Sequence, residues 1–169
     1  MQICSPGLTN FGWNKLLCAV DSFSHFLVVT PIFGNLTEKC VIDFIQEKII
    51  GVFGYPLILS SDNASVLNSD LIKKVCAYFG IHKVTSSPYS PRSNLQELLN
   101  RILLDTMRNV ANGATSSIEQ TQTLLSPIVN LINSLTFTDE KLLSPYLICF
   151  GQLPRIDILN FYIKKGATI

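Results

Sequence analysis

Leu57-Ile58-Leu59-Ser60, followed by Ser61-Asp62-Asn63, is the stretch that decides the fold. A short apolar run that ends abruptly in Asp-Asn reads as a buried strand delivering a carboxylate at its C-terminal end, where open α/β sheets place their ligands. Immediately downstream, about Ser69 to Phe79 carries helical spacing and is stopped by Gly80, and Ile81 to Ser86 reads as the next strand. Upstream, Thr37 is placed to cap a helix with Glu38 in its first turn, and Cys40, Val41, Phe44, Ile45 and Ile49 recur at helical spacing until Gly51 to Pro56 end it. The order helix, strand, helix, strand is that of a sheet covered by helices.

Further outward, Lys15 to Thr30 is rich in apolar and aromatic residues and is broken at Asp21-Ser22-Phe23-Ser24, which suits two strands meeting at a turn. Met1 to Cys4 supplies a preceding strand, so the sheet is expected to begin antiparallel. Pro88-Tyr89-Ser90-Pro91 reads as a loop, after which helices are expected over about Ser93 to Val110 and Ser117 to Ser134. No internal repeat or charge block interrupts the order. The expected architecture is a single α/β domain with a mixed five-stranded sheet flanked by helices.

Composition removes other classes. The chain has 169 residues, 47% hydrophobic, with a mean hydropathy of +0.34, yet its richest stretch, Leu16 to Phe33, contains Asp21 and His25 and meets Pro31. A membrane span needs ~20 mostly apolar residues, so buried strands explain the hydropathy, and no secretory leader is read at the N-terminus. Net charge is +1 and the pI about 7.6, so the whole-chain field exerts no strong pull on a polyanion. Cys4, Cys18, Cys40, Cys76 and Cys149 form no C-x-x-C pair, and His25 and His82 are the only histidines; zinc-finger spacing is absent. Reduced thiols and an intracellular location are expected.

Four strings, in order, carry a resemblance. The first is Val20-Asp21-Ser22-Phe23-Ser24, then Thr30-Pro31, a helix, and Gly54-Tyr55-Pro56. The second is Ser61-Asp62-Asn63, with Ala64 where a glycine would complete the pattern and Leu67 where a phenylalanine would stand. The third is Ser87-Pro88-Tyr89-Ser90-Pro91-Arg92-Ser93-Asn94, followed by Glu97-Leu98-Leu99-Asn100-Arg101. The fourth is Ser144-Pro145-Tyr146-Leu147-Ile148-Cys149-Phe150-Gly151-Gln152-Leu153-Pro154-Arg155. Together they resemble the VD-x-FS, SDNG, PYHPQSNG with E-x-x-N-R, and SP-[FY]-x-x-x-[FY]-G-x-x-PR signatures of retroviral and gypsy-type retrotransposon integrase catalytic cores. The resemblance covers residues 1–155, leaving 156–169 as a C-terminal extension.

That resemblance implies an RNase H-like fold and metal-dependent polynucleotidyl transfer, with Mg²⁺ or Mn²⁺ held by three carboxylates. Asp62 and Glu97 match the second and third, separated by 97 − 62 = 35 residues, within a residue of the family spacing although one residue is missing between Asn94 and Glu97. The first belongs on the opening strand, in a motif resembling QIDFIGPL; the residues here are Gln2-Ile3-Cys4-Ser5-Pro6-Gly7-Leu8, and Cys4 takes the acidic place. A soft thiol with a pKa of ~8.5 is a poor match for a hard cation, so an impaired catalyst is expected. Arg92, Asn94, Arg101 and Lys83 are expected to contact DNA phosphates, whereas Leu104 stands where family members often carry a basic residue. DNA is the implied partner, a homodimer is expected from the way such cores pair, and the nucleus is the implied place of action. The family's zinc-binding and basic flanking domains find no match in these residues.

Two other readings stay open. One is a non-enzymatic module that binds nucleic acid or oligomerises; the other is a competent transferase assisted by Asp21 or by sequence upstream of Met1. Each residue also has an ordinary role available: Asp62 as an Asx-turn residue, Glu97 as the i,i+4 partner of Arg101, and Asp21-Ser24 as a turn.

Overall fold

Five strands lie in one sheet in the order β3-β2-β1-β4-β5, with β1 at Gln2–Cys4, β2 at Lys15–Val20, β3 at Leu27–Ile32, β4 at Ile58–Ser61 and β5 at His82–Thr85. This computed structural model describes residues 1–4, 15–85, 91–113, 118–135, 143–152 and 154, without the side chains of 91–96, 110–113 and 118–122. β1, β2 and β3 are antiparallel neighbours, and β4 and β5 run parallel to β1, so the sheet is mixed as the sequence implies. Motif residues 86–90, 153 and 155 and the extension 156–169 lie outside the described residues.

Alternation along the strands divides the apolar residues between two faces. Ile3, Leu17, Ala19 and Leu59 point to one side, where they pack with Val41, Phe44, Ile45 and Ile49 and with Ile72 and Cys76. Leu16, Cys18, Val20 and Leu27 point to the other and meet Leu99, Leu103, Met107, Leu125, Ile128 and Ile132. Each fully buried Leu or Ile contributes about 1.5–3 kcal/mol. These two layers are what fix the sheet between its helices.

On the first face, α1 (Glu38–Asp43) starts under Thr37, whose side chain accepts from the Cys40 N–H as its position suggests. It then widens into a π-helical stretch, Phe44–Ile50, before a last turn, α2 (Gly51–Phe53), so one regular helix is replaced by three segments. The Gly51 N–H reaches back to the Gln46 carbonyl, and Phe44, Ile45 and Ile49 all stay in the core. A single 3₁₀ turn at Ser65–Asn68, not anticipated, precedes α3 (Asp70–Tyr78), which Ser69 caps.

The other face is covered by α4 (Pro91–Gly113) and α5 (Ile118–Ser134). α4 begins two residues earlier than its apolar spacing suggests, with Pro91 at the start, where a missing N–H loses no intrahelical bond. A short α6 (Pro145–Phe150), also not anticipated, is capped by Ser144 and closed by Gly151 in the left-handed region at φ 68°. The serine-proline start and terminal glycine were the available signal.

β3 extends through Pro31 to Ile32, beyond the end expected at Thr30. Asn133 of α5 explains both this and the protected edge. Its Oδ1 accepts from the Leu27 N–H at 2.8 Å and its Nδ2 donates to the Leu27 carbonyl at 2.8 Å, so Leu27 directs its backbone groups away from β2. By alternation Pro31, four residues on, also faces outward, and its absent N–H removes no ladder bond. α6 closes the same end of the domain: Phe26 meets Tyr146 and Phe150 with ring centroids 6.2 and 5.5 Å apart.

Asn133 is 2% exposed, so replacing it by leucine strands a buried N–H and carbonyl. Asn133→Leu is expected to destabilise the fold by about 2–4 kcal/mol, read as a lower urea midpoint at unchanged slope.

Candidate functional site

The chemistry suggested by the sequence gathers at the C-terminal ends of β1 and β4. Ile3 pairs with Ser61 in parallel register, so the next residues along the two strands, Cys4 and Asp62, follow side by side. Asp62 is exposed just past β4, and its Oδ1 accepts from the Ala64 N–H at 3.1 Å, the Asx turn that an isolated Asp-Asn predicts.

The backbone of this turn is held by groups that the sequence did not single out. Asn68 donates from Nδ2 to the carbonyls of Asp62 at 2.7 Å and Ala64 at 3.2 Å. Its Oδ1 accepts from Thr85 Oγ1 at 2.8 Å and from Lys83 Nζ at 3.2 Å. Lys83 also donates to Ser61 Oγ at 2.6 Å and to the Val84 carbonyl at 3.2 Å, so all three ammonium protons have protein acceptors. Burial, partly offset by Cys76 and Asp62, pushes Lys83 below the ordinary lysine range. Lys83, expected from the sequence to contact DNA, thus has its ammonium engaged within the protein by Ser61, Asn68 and Val84. Thr85 and Asn68 could have been suspected only from polar residues flanking the strand ends.

α4 crosses the same end of the sheet. Asn100 Nδ2 donates to Cys4 Sγ at 3.0 Å, which sets the helix against β1. Asn100 Oδ1 is buried with no hydrogen-bond partner among the described residues. Glu97, one turn earlier, and Arg101 are both exposed, and Leu104 is partly buried against the α4–α5 core. Arg92 and Asn94 belong to the first turns of α4, but their side chains lie outside the described residues. Cys18 stands opposite Cys4 on β2, and its hydrogen bond with Cys4, burial and the charge of Cys4 hold its thiol well above the usual range.

Asp21 is elsewhere. Val20 pairs with Gln2 and Cys18 with Cys4, so Asp21 lies three residues from Cys18, roughly 10 Å along β2, toward the opposite end of the sheet. Its Oδ2 accepts from the Phe23 N–H at 3.2 Å, the Ser24 N–H at 2.9 Å and Ser24 Oγ at 2.9 Å, closing the β2–β3 turn. Burial alone would raise its pKa, but these bonds outweigh it and hold the carboxyl below the usual aspartate range. The reading in which Asp21 replaces the missing acid is corrected by this placement; it is a turn residue.

A mixed sheet in this order with helices on both faces defines an RNase H-like fold. The integrase core domain family matches residues 3–91, more than half of the chain, and the chain belongs to that family. It is 30% identical over 160 residues to the Pol polyprotein of Radiation murine leukemia virus (strain Kaplan), an alignment covering 93% of this chain and 26% of the polyprotein. The chain thus spans about a quarter of that relative. Among solved structures, it is similar to a chain of the simian T-cell lymphotropic virus intasome, with a TM-score of 0.77 and 22% identity over 92% of this chain and 54% of that one. It is also similar to the HTLV-2 integrase catalytic core domain in complex with magnesium, with a TM-score of 0.71 and 17% identity over 88% of this chain and 93% of that one. At these identities the structural likeness establishes the fold. Integrase cores are in general divalent-metal dependent; among the described residues here, no group of three or more His, Cys, Asp or Glu side chains is placed to hold an ion. Nor is any helix among them long and apolar enough to cross a membrane.

Two outcomes follow from the hydrogen bonding. Because the folded Asp21 carboxyl is the stronger acid, its contribution to stability is complete above about pH 4 and is lost as pH falls through the folded value. Asp21→Asn is expected to lower stability at pH 7 and to flatten the acid limb of a thermal-melt series from pH 5 to 2. Lys83→Met removes the donor shared by Ser61 and Asn68, so amide exchange in the turn at residues 62–68 is expected to accelerate while exchange in α5 is unchanged.

Proposed function

We propose that this chain is a DNA-binding integrase core whose strand-transfer chemistry is impaired at its first acidic position. The observation that carries the reading is β1 ending in Cys4, level with Asp62 and bonded to Asn100, where the family resemblance calls for an acid. In this reading Asp62 and Glu97 are the two remaining ligands for Mg²⁺ or Mn²⁺. The donor set does not fit a two-ion centre: hard cations need oxygen, the third donor is sulfur, and the orphaned Asn100 Oδ1 is neutral.

DNA binding rests on the backbone-contacting positions that remain. Arg101 is exposed on α4 in the turn after Glu97, and Arg92 and Asn94 precede it on the same helix. Lys83 is left out because its ammonium is already engaged. With a net charge of +1, binding is weak and falls with salt. Arg101→Ala is expected to weaken binding evenly across sequences and to lower the salt slope by about one.

Activity is tested with the purified chain, Mn²⁺ or Mg²⁺ and a branched DNA in the disintegration reaction. The unaltered chain is expected to stay at background. Cys4→Asp is expected to gain roughly tenfold or more, equivalent to about 1.4 kcal/mol of barrier, and Glu97→Gln in that background to remove the gain. Robust activity in the unaltered chain overturns the impaired reading. Absence of DNA binding in both forms would favour a role in oligomerisation instead.

A further inference from the structure

The ladder between β1 and β2 sets Cys4 directly opposite Cys18. Met1 directs its N-terminal ammonium and carbonyl at Ile58 and Ser60 of β4, so alternation turns the backbone groups of Gln2 and Cys4 toward β2. The outward-facing Leu27 at the far edge gives the same phase, because it turns Val20 and then Cys18 toward β1. Cys4 and Cys18 are therefore a hydrogen-bonded ladder pair, whose Cα atoms stand about 5.5 Å apart. That falls within the ~4.4–6.8 Å range that disulfides bridge, and the two thiols already share a hydrogen bond; the Cβ atoms, about 5.5 Å apart in such a pair, must close by about 1 Å for the bond to form. Both side chains lie on the face covered by α4.

The two sulfurs differ in access. Cys18 is 0% exposed, whereas Cys4 is half-buried and takes a hydrogen bond from Asn100 Nδ2. The remaining thiols are placed apart from this pair. Cys40 and Cys76 pack on the opposite face of the sheet, and Cys149 on α6 contacts Ser24 in the β2–β3 turn.

We propose that Cys4 and Cys18 form an oxidation site, a dithiol that hydrogen peroxide or a small disulfide such as oxidised glutathione converts to a cross-strand disulfide. With peroxide, Cys4 sulfur attacks one oxygen, the O–O bond breaks, and water leaves, giving Cys4 sulfenic acid. Cys18 sulfur then attacks Cys4 sulfur; the S–S bond forms, the S–O bond breaks, and the hydroxyl leaves as water with the Cys18 proton. Two thiols lose two electrons and two protons, and one peroxide becomes two waters. With oxidised glutathione, Cys4 first forms a mixed disulfide, releasing one glutathione, and Cys18 displaces the second. Cys4 reacts first because solvent reaches it, and Cys18 resolves.

The test needs neither metal nor DNA, so its outcome is independent of the proposed function. The reduced, folded chain is treated with limiting peroxide and, separately, with oxidised glutathione, and then quenched with a thiol-alkylating reagent. Free thiols are expected to fall from five by two, and non-reducing peptide mapping to join the tryptic peptide holding Cys4 to that holding Cys18. The oxidised product should keep the far-UV circular dichroism of the reduced chain. Cys18→Ser is expected to stop at Cys4 sulfenic acid, trapped by dimedone, or at the glutathione mixed disulfide. If that variant fails to fold, Cys4→Ser serves: it should form no intramolecular disulfide, and Cys18 should stay free, under the same treatment. Stable Cys4 sulfenic acid or mixed disulfide in the unaltered chain with Cys18 still free, a disulfide joining any other pair, or a cross-link found only in unfolded product would each overturn the proposal.

Discussion

β1 is three residues long, and both halves of the sheet depend on it. Ile3 faces Ala19 of an antiparallel neighbour on one side and Ser61 of a parallel neighbour on the other. With so few rungs, a shift of one residue would exchange the buried Ile3 with Cys4 and reverse which face each occupies. Ile3 packs with the α1 and α3 layer, and Cys4 with the α4 layer, so the two cores together fix the register. That register is what sets Cys4 level with Asp62.

The same logic of satisfied backbone groups governs the far edge. Among the described residues β3 has no strand beyond it, and an open edge with buried apolar side chains invites pairing with another chain. Asn133 occupies the Leu27 backbone with both ends of its amide, and Pro31 removes a donor two rungs further in the outward direction. The Ser144 to Gly151 string, which looked like a family signature, does its work here as well. It forms a capped turn of helix whose Tyr146 and Phe150 rings hold Phe26 at the mouth of the β2–β3 turn.

At the other end, two charged or nucleophilic groups carry meanings that a motif alone does not reveal. Lys83 looks like a phosphate contact in one dimension, yet its ammonium is half-buried beneath the Asp62 turn and braces Ser61 and Asn68. Cys4 looks like a simple loss of an acid, yet its sulfur is built into a local network with Asn100 and Cys18.

The sequence by itself determined the element order, the mixed α/β architecture, the antiparallel start, the strand that ends at Asp62 and the helix carrying Glu97, because apolar periodicity, caps and glycine stops are local signals. It also determined the absence of an acid at Cys4, since that is a matter of residue identity. The π-helical stretch, the continuation of β3 through Pro31, the inward turn of Lys83, the separation of Asp21 from the site and the pairing of Cys4 with Cys18 were decided only in the tertiary structure. Each depends on which backbone and side-chain groups still lack a partner once the sheet has formed, and that is a property of neighbours distant along the chain.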